Sequence, residues 1–236
     1  MVQTEIRRLV EVIRDNGGIE GDWKAALAAA KEFNRVATTD DLPYLRSELS
    51  DCGTGEGYLA STICIKLCEI GNADDLPLLI EALHRHHGRE FHRDAIWEGM
   101  PAIVARDPSG ATPHILRLMT SGNEAQRAEA IFLYPHTRPL LPAEPLLEIA
   151  RNGPQRLRYE ALHVIGTYRD HPEVRPILIA ALADPADEVV RIAIEQLGCY
   201  GSPDDLPHLR RFLQHASDDI RQTARQAIRR LGSTEM

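Results

Sequence analysis

The chain has 236 residues and a formal net charge of -8, and 43% of its residues are hydrophobic but only 5% aromatic. So few aromatic residues favour Leu- and Ala-rich helix packing over a β-sandwich, which uses aromatic and β-branched side chains. The acidic balance argues against a sequence-independent grip on nucleic-acid phosphates, and no apolar run approaches the roughly 20 residues that cross a bilayer. The cysteines show neither C-x-x-C spacing nor a disulfide framework, so we expect reduced thiols and a cytoplasmic protein.

Apolar residues recur at helical intervals from one end of the chain to the other. In chain order the pattern predicts helices at 3–15; 22–37 and 41–50; 56–70 and 75–87; 90–105 and 111–121; 123–134 and 143–151; 155–168 and 173–183; 187–199 and 204–215; and 217–231. We predict one repeat domain over 1–236, with an N-terminal capping helix in 1–21 and a C-terminal capping helix in 217–236. Gly198 and Gly201 are the predicted stop signals of the helix at 187–199.

Prolines at the start of alternate helices reveal a repeat of 31 to 36 residues: Pro43, Pro77, Pro113, Pro145, Pro176 and Pro207. The tetrapeptide D-D-L-P occurs three times, at 40–43, 74–77 and 204–207. Positions two and six residues after each proline share one helix face and form two predicted core columns. The first column is Leu45, Leu79, Ile115, Leu147, Leu178 and Leu209; the second is Leu49, Leu83, Met119, Arg151, Leu182 and Leu213. Arg151 is the single break in these columns.

The alternating helices carry a recurring motif, D-E-V-V-R-I-A-I-E-Q-L-G at 187–198 and Q-R-L-R-Y-E-A-L-H-V-I-G at 155–166. This motif resembles the HEAT repeat, in particular the short HEAT-like form named after phycobiliprotein lyases. The resemblance implies an all-α fold, a right-handed α-solenoid of about six to seven helix pairs whose second helices line a concave side. It implies little about function, because this scaffold serves unrelated roles.

Three local features could carry chemistry, and each has a simpler structural interpretation. The run C-G-T-G-E-G at 52–57 lacks the Lys-Ser/Thr of a phosphate loop and is interpreted as a joint. His84, His86, His87 and His92, with Glu81 or Glu90, have the ligand types for zinc or iron but match no metal motif, so no metal and no cofactor are predicted. Cys64 and Cys68 lie four residues apart on one helix face and are interpreted as buried structural thiols.

Trp97, with Asp94 and Arg93 or Arg127, has the residue types that HEAT-like DNA glycosylases use on a basic concave surface. This resemblance gives one enzymatic alternative, and a bilin lyase-type subunit gives another. The acidic charge and the scarcity of lysine oppose nucleic-acid binding. No Ser/His/Asp, Cys/His or paired-carboxylate arrangement can be singled out.

The residues that turn away from the core columns give the leading functional hypothesis. We predict a concave binding surface made of Tyr44, Glu48, Glu81, His84, His114, Arg117 and Arg211. Tyr, Arg and His among carboxylates are typical of protein recognition, although an ordinary mixed surface has the same composition. The predicted function is a non-catalytic protein-binding module, most concretely a bacterial cytosolic inhibitor or immunity-type protein whose partner is a basic toxin or enzyme.

Overall fold

A computed structural model describes residues 2–86, 91–137 and 141–232, and every regular element in these ranges is helical. The predicted all-α fold class is therefore confirmed. The chain forms two compact units, Met1–Leu140 and Leu141–Met236. The predicted helix pair 123–134 and 143–151 spans both units, so its pairing stays a prediction.

The first unit contains eight α-helices within its described residues: α1 (Val2–Asn16), α2 (Trp23–Val36), α3 (Leu42–Asp51), α4 (Gly57–Ile70), α5 (Leu76–Arg85), α6 (Arg93–Arg106), α7 (Pro108–Ser121) and α8 (Glu124–Leu133). Helix α1 packs on α2, and α4 packs on α6. Helix α5 contacts both α3 and α7. First helices therefore contact first helices and second helices contact second helices, as a stacked repeat requires.

The second unit contains α9 (Glu144–Asn152), α10 (Gln155–Val164), α11 (Val174–Ala181), α12 (Asp187–Tyr200), α13 (Leu206–Arg210) and α14 (Asp218–Gly232). Helix α12 packs between α10 and α14, while α9 packs on α11. Short 3₁₀ turns extend α10 over 165–168 and α13 over 211–214. The predicted helices of both units agree closely with these bounds.

Each D-D-L-P tetrapeptide forms a 3₁₀ turn that leads into a second helix. The second aspartate of the motif is buried in all three cases, at Asp41, Asp75 and Asp205. Its carboxylate accepts a hydrogen bond from the backbone N–H three residues earlier, at 2.9, 2.8 and 2.9 Å respectively. This capping box satisfies the first N–H groups of the helix, and the proline that follows needs no donor there.

The first core column is confirmed throughout, since no member from Leu45 to Leu209 is more than 1% exposed. The second column is confirmed for Leu49, Leu83, Met119 and Leu182, and Arg151 is the expected break. Leu213 was wrongly placed in it, because this side chain is 36% exposed. Helix α13 ends at Arg210 and the tighter 3₁₀ turn that follows rotates Phe212, rather than Leu213, into the core.

Two predicted helix signals were also wrong. Helix α7 begins at Pro108, where Asp107 caps Gly110 N–H at 2.9 Å, so Pro113 lies inside the helix instead of starting it. Gly198 does not stop α12, which continues to Tyr200 and is capped by Gly201. Gly198 is needed for packing, since a Cβ atom there would lie 2.6 Å from the Cβ of Ala227 on α14.

The described helices include none that is both long and apolar enough to pass through a bilayer.

Candidate functional site

The predicted binding residues lie mainly on the second helices of the first unit. Tyr44 and Glu48 are on α3, Glu81 and His84 on α5, and His114 and Arg117 on α7. Arg211 belongs to the second unit, in the 3₁₀ turn after α13, where it donates to the Leu182 carbonyl at 3.3 Å.

On α3, the predicted residues join the N-terminal helix to the repeat. The guanidinium of Arg7 lies 5.2 Å from the centre of the Tyr44 ring, and Arg14 forms ion pairs with Glu48 and Glu56. Burial, together with the nearby Glu48 carboxylate, raises the pKa of Tyr44 to about 12. Tyr44 is therefore an un-ionised aromatic contact, and Glu48 is committed to holding α1 in place.

On α5 and α7, the predicted residues Glu81, His114 and Arg117 are also engaged within the unit. Glu81 pairs with Arg85, which donates to the Ser50 carbonyl at the end of α3 at 2.9 Å. His114 Nε2 lies 3.1 Å from Asp74, and His114 Nδ1 lies 3.1 Å from Arg117. An arginine can only donate, so Nδ1 accepts and Nε2 carries the proton toward Asp74. These contacts of Glu81, His114 and Arg117 connect successive repeats. They leave mainly the exposed parts of Glu81 and Arg117 available to a partner.

The second unit holds a groove of about 370 Å³ between α9 and α11, which we call the α9–α11 groove. Its lining is Ala150, Arg151, Pro176, Ile177, Ala180, Ala181 and Asp184. Five of the seven lining residues are apolar, and Arg151 and Asp184 are the charged ones. None of these lining residues was predicted as a binding residue, although Ile177 and Ala180 stand one and four residues after Pro176, at positions that the repeat alignment turns away from the core columns.

Small side chains open this groove. Ala180 stands four residues after its helix-start proline, where the aligned positions of α5 and α7 carry Glu81 and Arg117 and the one after α13 carries Arg211. Ala150 and Ala181 also line the groove. The remaining aligned positions carry Ser47 and Ile149, so a small residue at position 180 was not a distinct sequence signal for a groove.

Both charged lining residues of the groove are neutralised by ion pairs. Arg151 pairs with Glu173, and Arg158 binds Asp184 through two hydrogen bonds of 2.8 Å. Partial burial works against the charge of Asp184, but the Arg158 hydrogen bonds and the Ala186 N–H outweigh it and lower the pKa of the carboxyl. Arg151 and Asp184 are therefore fixed polar groups and supply no unpaired base or nucleophile to the groove.

A third candidate site, after the predicted binding residues and the α9–α11 groove, surrounds Trp97 on α6. Its indole N–H donates to Glu129 at 2.6 Å, Arg93 donates to the same carboxylate at 2.8 Å, and Phe132 stacks on the indole with 3.6 Å between ring centres. Glu129 is only 4% exposed, whereas Trp97 is 37% exposed. Arg93, one of the glycosylase-type residues, is thus neutralised by an internal carboxylate.

The histidine and cysteine features give no reactive centre among the described residues. No group of three or more His, Cys, Asp or Glu side chains there is arranged to hold a metal ion. His87 and Glu90 of the predicted cluster lie outside the described residues. Burial raises the pKa of the Cys52 and Cys68 thiols to about 12 and that of Cys64 well above its ordinary value, so these thiols are structural, as predicted for Cys64 and Cys68.

Comparison with known proteins identifies HEAT repeats over residues 143–229. No curated protein matches the chain. Similar solved structures include a designed armadillo repeat protein in complex with the peptide (KR)4, with 15% identity, a TM-score of 0.44 and coverage of 96% of this chain and 99% of that one. Human deoxyhypusine hydroxylase in complex with glycerol shares 17% identity, with a TM-score of 0.41 and coverage of 98% and 97%. YibA of Escherichia coli shares 14% identity, with a TM-score of 0.49 and coverage of 97% and 95%.

The family match lies wholly within the second unit and contains the whole α9–α11 groove. It also contains both quoted copies of the repeat motif. Residues 143–229 are therefore HEAT repeats, as the spacing and the motif predicted.

Proposed function

We propose that this protein is a non-catalytic protein-binding module that holds its partner in the α9–α11 groove. The observation that supports this most directly is a mainly apolar lining whose two charged residues are already paired. Protein interfaces have this composition, with an apolar centre and a polar rim. Pockets of this kind receive the few side chains that supply most of the binding energy.

The lining residues favour docking over chemistry. An enzyme pocket brings together polar groups with unpaired protons or lone pairs. Here Arg151 and Asp184 are the charged lining residues, and each is held by an opposite charge. The remaining lining residues are alanine, proline and isoleucine.

The most concrete form of this proposal is a bacterial cytosolic inhibitor or immunity-type protein that covers the active site of a basic toxin or enzyme. It is supported by the net charge of -8 and by the absence of a catalytic pattern in the sequence. Opposite net charges speed the encounter of two proteins, and added salt weakens this effect. The association rate constant should therefore fall as the ionic strength rises.

Affinity capture from cells of the native host tests the proposal. The bait proteins are the wild type, Ala180→Arg and the control Ala28→Arg, which places the same side chain at an exposed position of α2. Ala180→Arg introduces the residue that the aligned positions 117 and 211 already carry, so it should fill the groove without unfolding the helix. A partner recovered by the wild type and the control but not by Ala180→Arg supports the proposal. Equal recovery by all three baits contradicts it.

The inhibitor version has its own test. The captured partner is purified, and its activity or toxicity is measured with and without this protein. A partner whose activity is unchanged at saturating concentration contradicts the inhibitor version while leaving the binding module intact.

A further inference from the structure

The indole of Trp97 is a fixed aromatic surface in the first unit that the proposed groove interaction does not use. Its only polar group, the N–H, is already bonded to Glu129 at 2.6 Å. Phe132 covers one face of the ring, so the exposed part of Trp97 consists of the other face and the ring edge. A ligand can therefore meet this residue only through its π surface.

Trp97 is held in place before any ligand arrives. The Glu129 carboxylate, only 4% exposed, accepts one hydrogen bond from the indole and one from Arg93. Arg93 also donates to the Leu83 carbonyl at the end of α5, which ties the arrangement to the neighbouring helix pair. An aromatic side chain fixed in this way loses little conformational entropy on binding.

The charges around the ring select the ligand. Asp94 lies one helical turn before Trp97, on the same side of α6, and is exposed. The one cation identified beside the indole, Arg93, is neutralised by Glu129. A carboxylate on the same helix side as an exposed indole attracts cations and repels phosphates, and a cation over a tryptophan face is further attracted by the ring quadrupole.

We propose that Trp97, with Asp94, binds an arginine or lysine side chain on a basic segment of a partner protein. The site is distinct from the α9–α11 groove, and its test does not depend on the groove. The cation replaces water over the indole face, and the Asp94 carboxylate balances its charge.

Fluorescence titration with a hexaarginine peptide tests this site. The chain has two tryptophans, so the background variant Trp23→Phe makes Trp97 the only indole. We expect a saturable change in the Trp97 emission at low salt, and no such change with hexaglutamate. Absence of a saturable change, or an equal response to hexaglutamate, would overturn the proposal.

A second measurement separates the indole from general electrostatic attraction. The dissociation constant of a fluorescently labelled hexaarginine peptide is measured by anisotropy for the wild type, Trp97→Leu and Asp94→Asn. An exposed cation–π contact corresponds to a change of about two- to fivefold, so Trp97→Leu should weaken binding by this factor. Asp94→Asn should also weaken it. If Trp97→Leu binds as tightly as the wild type, with a circular dichroism spectrum that shows it to be folded, the indole has no part in binding.

Discussion

Arg46 on α3 binds the buried carboxylate of Asp75, which caps the next second helix of the stack. Arg46 Nε lies 2.6 Å from Asp75 Oδ1, and Arg46 Nη2 lies 3.0 Å from Oδ2. Arg175 and Asp205 repeat the relationship in the second unit, with Nη2 2.7 Å from Oδ1. An arginine from one repeat thus stabilises the turn that begins the second helix of the following one.

Removing this arginine should destabilise the first unit. Arg46→Ala leaves the Asp75 charge, whose side chain is 0% exposed, with only backbone donors and nearby polar groups. Because Arg46 itself is 34% exposed, the expected loss lies below the value for a fully buried pair, at about 1–3 kcal/mol. Urea unfolding followed by circular dichroism measures it. The control Arg35→Ala breaks an exposed pair with Glu32 and should leave the midpoint unchanged; equal losses in the two variants would contradict the account.

Gly198→Ala should destabilise the second unit although alanine is the better helix former. The new Cβ atom would lie 2.6 Å from the Cβ and 2.7 Å from the Cα of Ala227, so α12 and α14 must move apart. Overpacking of this kind costs about 1–3 kcal/mol, against a gain of about 1 kcal/mol from helix propensity. Thermal unfolding of Gly198→Ala is compared with Gly55→Ala, where no atom lies within 4 Å of the added carbon. A Gly198→Ala variant as stable as the wild type would show that these helices are not closely packed.

Thiol labelling should find one reactive cysteine in the native protein. Cys199 is exposed, whereas Cys52, Cys64 and Cys68 are buried. Treatment with Ellman's reagent at pH 8 should release about one equivalent of thionitrobenzoate without denaturant and about four with it. Rapid reaction of two or more thiols in the native protein would mean that the helix pairs open readily.

The raised pKa values of the buried thiols predict that the folded protein is less stable at alkaline pH. Burial raises the pKa of Cys52 and Cys68 to about 12, from an ordinary value of 9.0. Above pH 9 the unfolded chain loses thiol protons that the folded chain keeps, so the stability contributed by these groups declines between about pH 9 and 12. The urea midpoint measured across this range should fall, and it should fall less for Cys52→Ala/Cys68→Ala. The same decline in both proteins would assign it to other groups.

The lowered pKa of Asp184 predicts that the folded protein loses stability at acidic pH. Its pKa is lowered from the ordinary value of 3.8, so its contribution is complete above that pH and disappears as the pH falls through the lower folded value. Asp184→Asn should lower the urea midpoint at pH 7, and the gap from the wild type should narrow below pH 3.8. A gap that is constant across pH would show that the loss comes from geometry and not from charge.

The helices and the first core column could be predicted because both depend on local sequence. Prolines, capping residues and a leucine every few positions act within one or two helical turns, so the burial of Leu45, Leu79 and Leu178 follows from spacing alone. Leu213 escaped prediction because its exposure depends on a change from α to 3₁₀ geometry after Arg210, which the apolar pattern does not encode.

The candidate sites were harder to predict because each depends on which helices meet. The sequence singled out Trp97 by its residue type, but nothing in it places Glu129 and Phe132, more than 30 residues later, against the indole. Ala180 did not stand out in an aligned column that also holds Ser47 and Ile149, and it lines a groove only because α9 packs beside α11. Glu48 and His114 were predicted as binding residues, yet contacts with Arg14 and Asp74 commit them to joining repeats.

The most direct test of the proposed groove is the dissociation constant of the captured partner, measured by isothermal titration calorimetry for the wild type, Ala180→Arg and Ala28→Arg. Filling the groove removes a central contact of the kind that accounts for about 2 kcal/mol or more, so Ala180→Arg should bind at least about 30-fold more weakly. Ala28→Arg should bind as the wild type does. Wild-type affinity in a folded Ala180→Arg protein would contradict the assignment of the α9–α11 groove as the binding site.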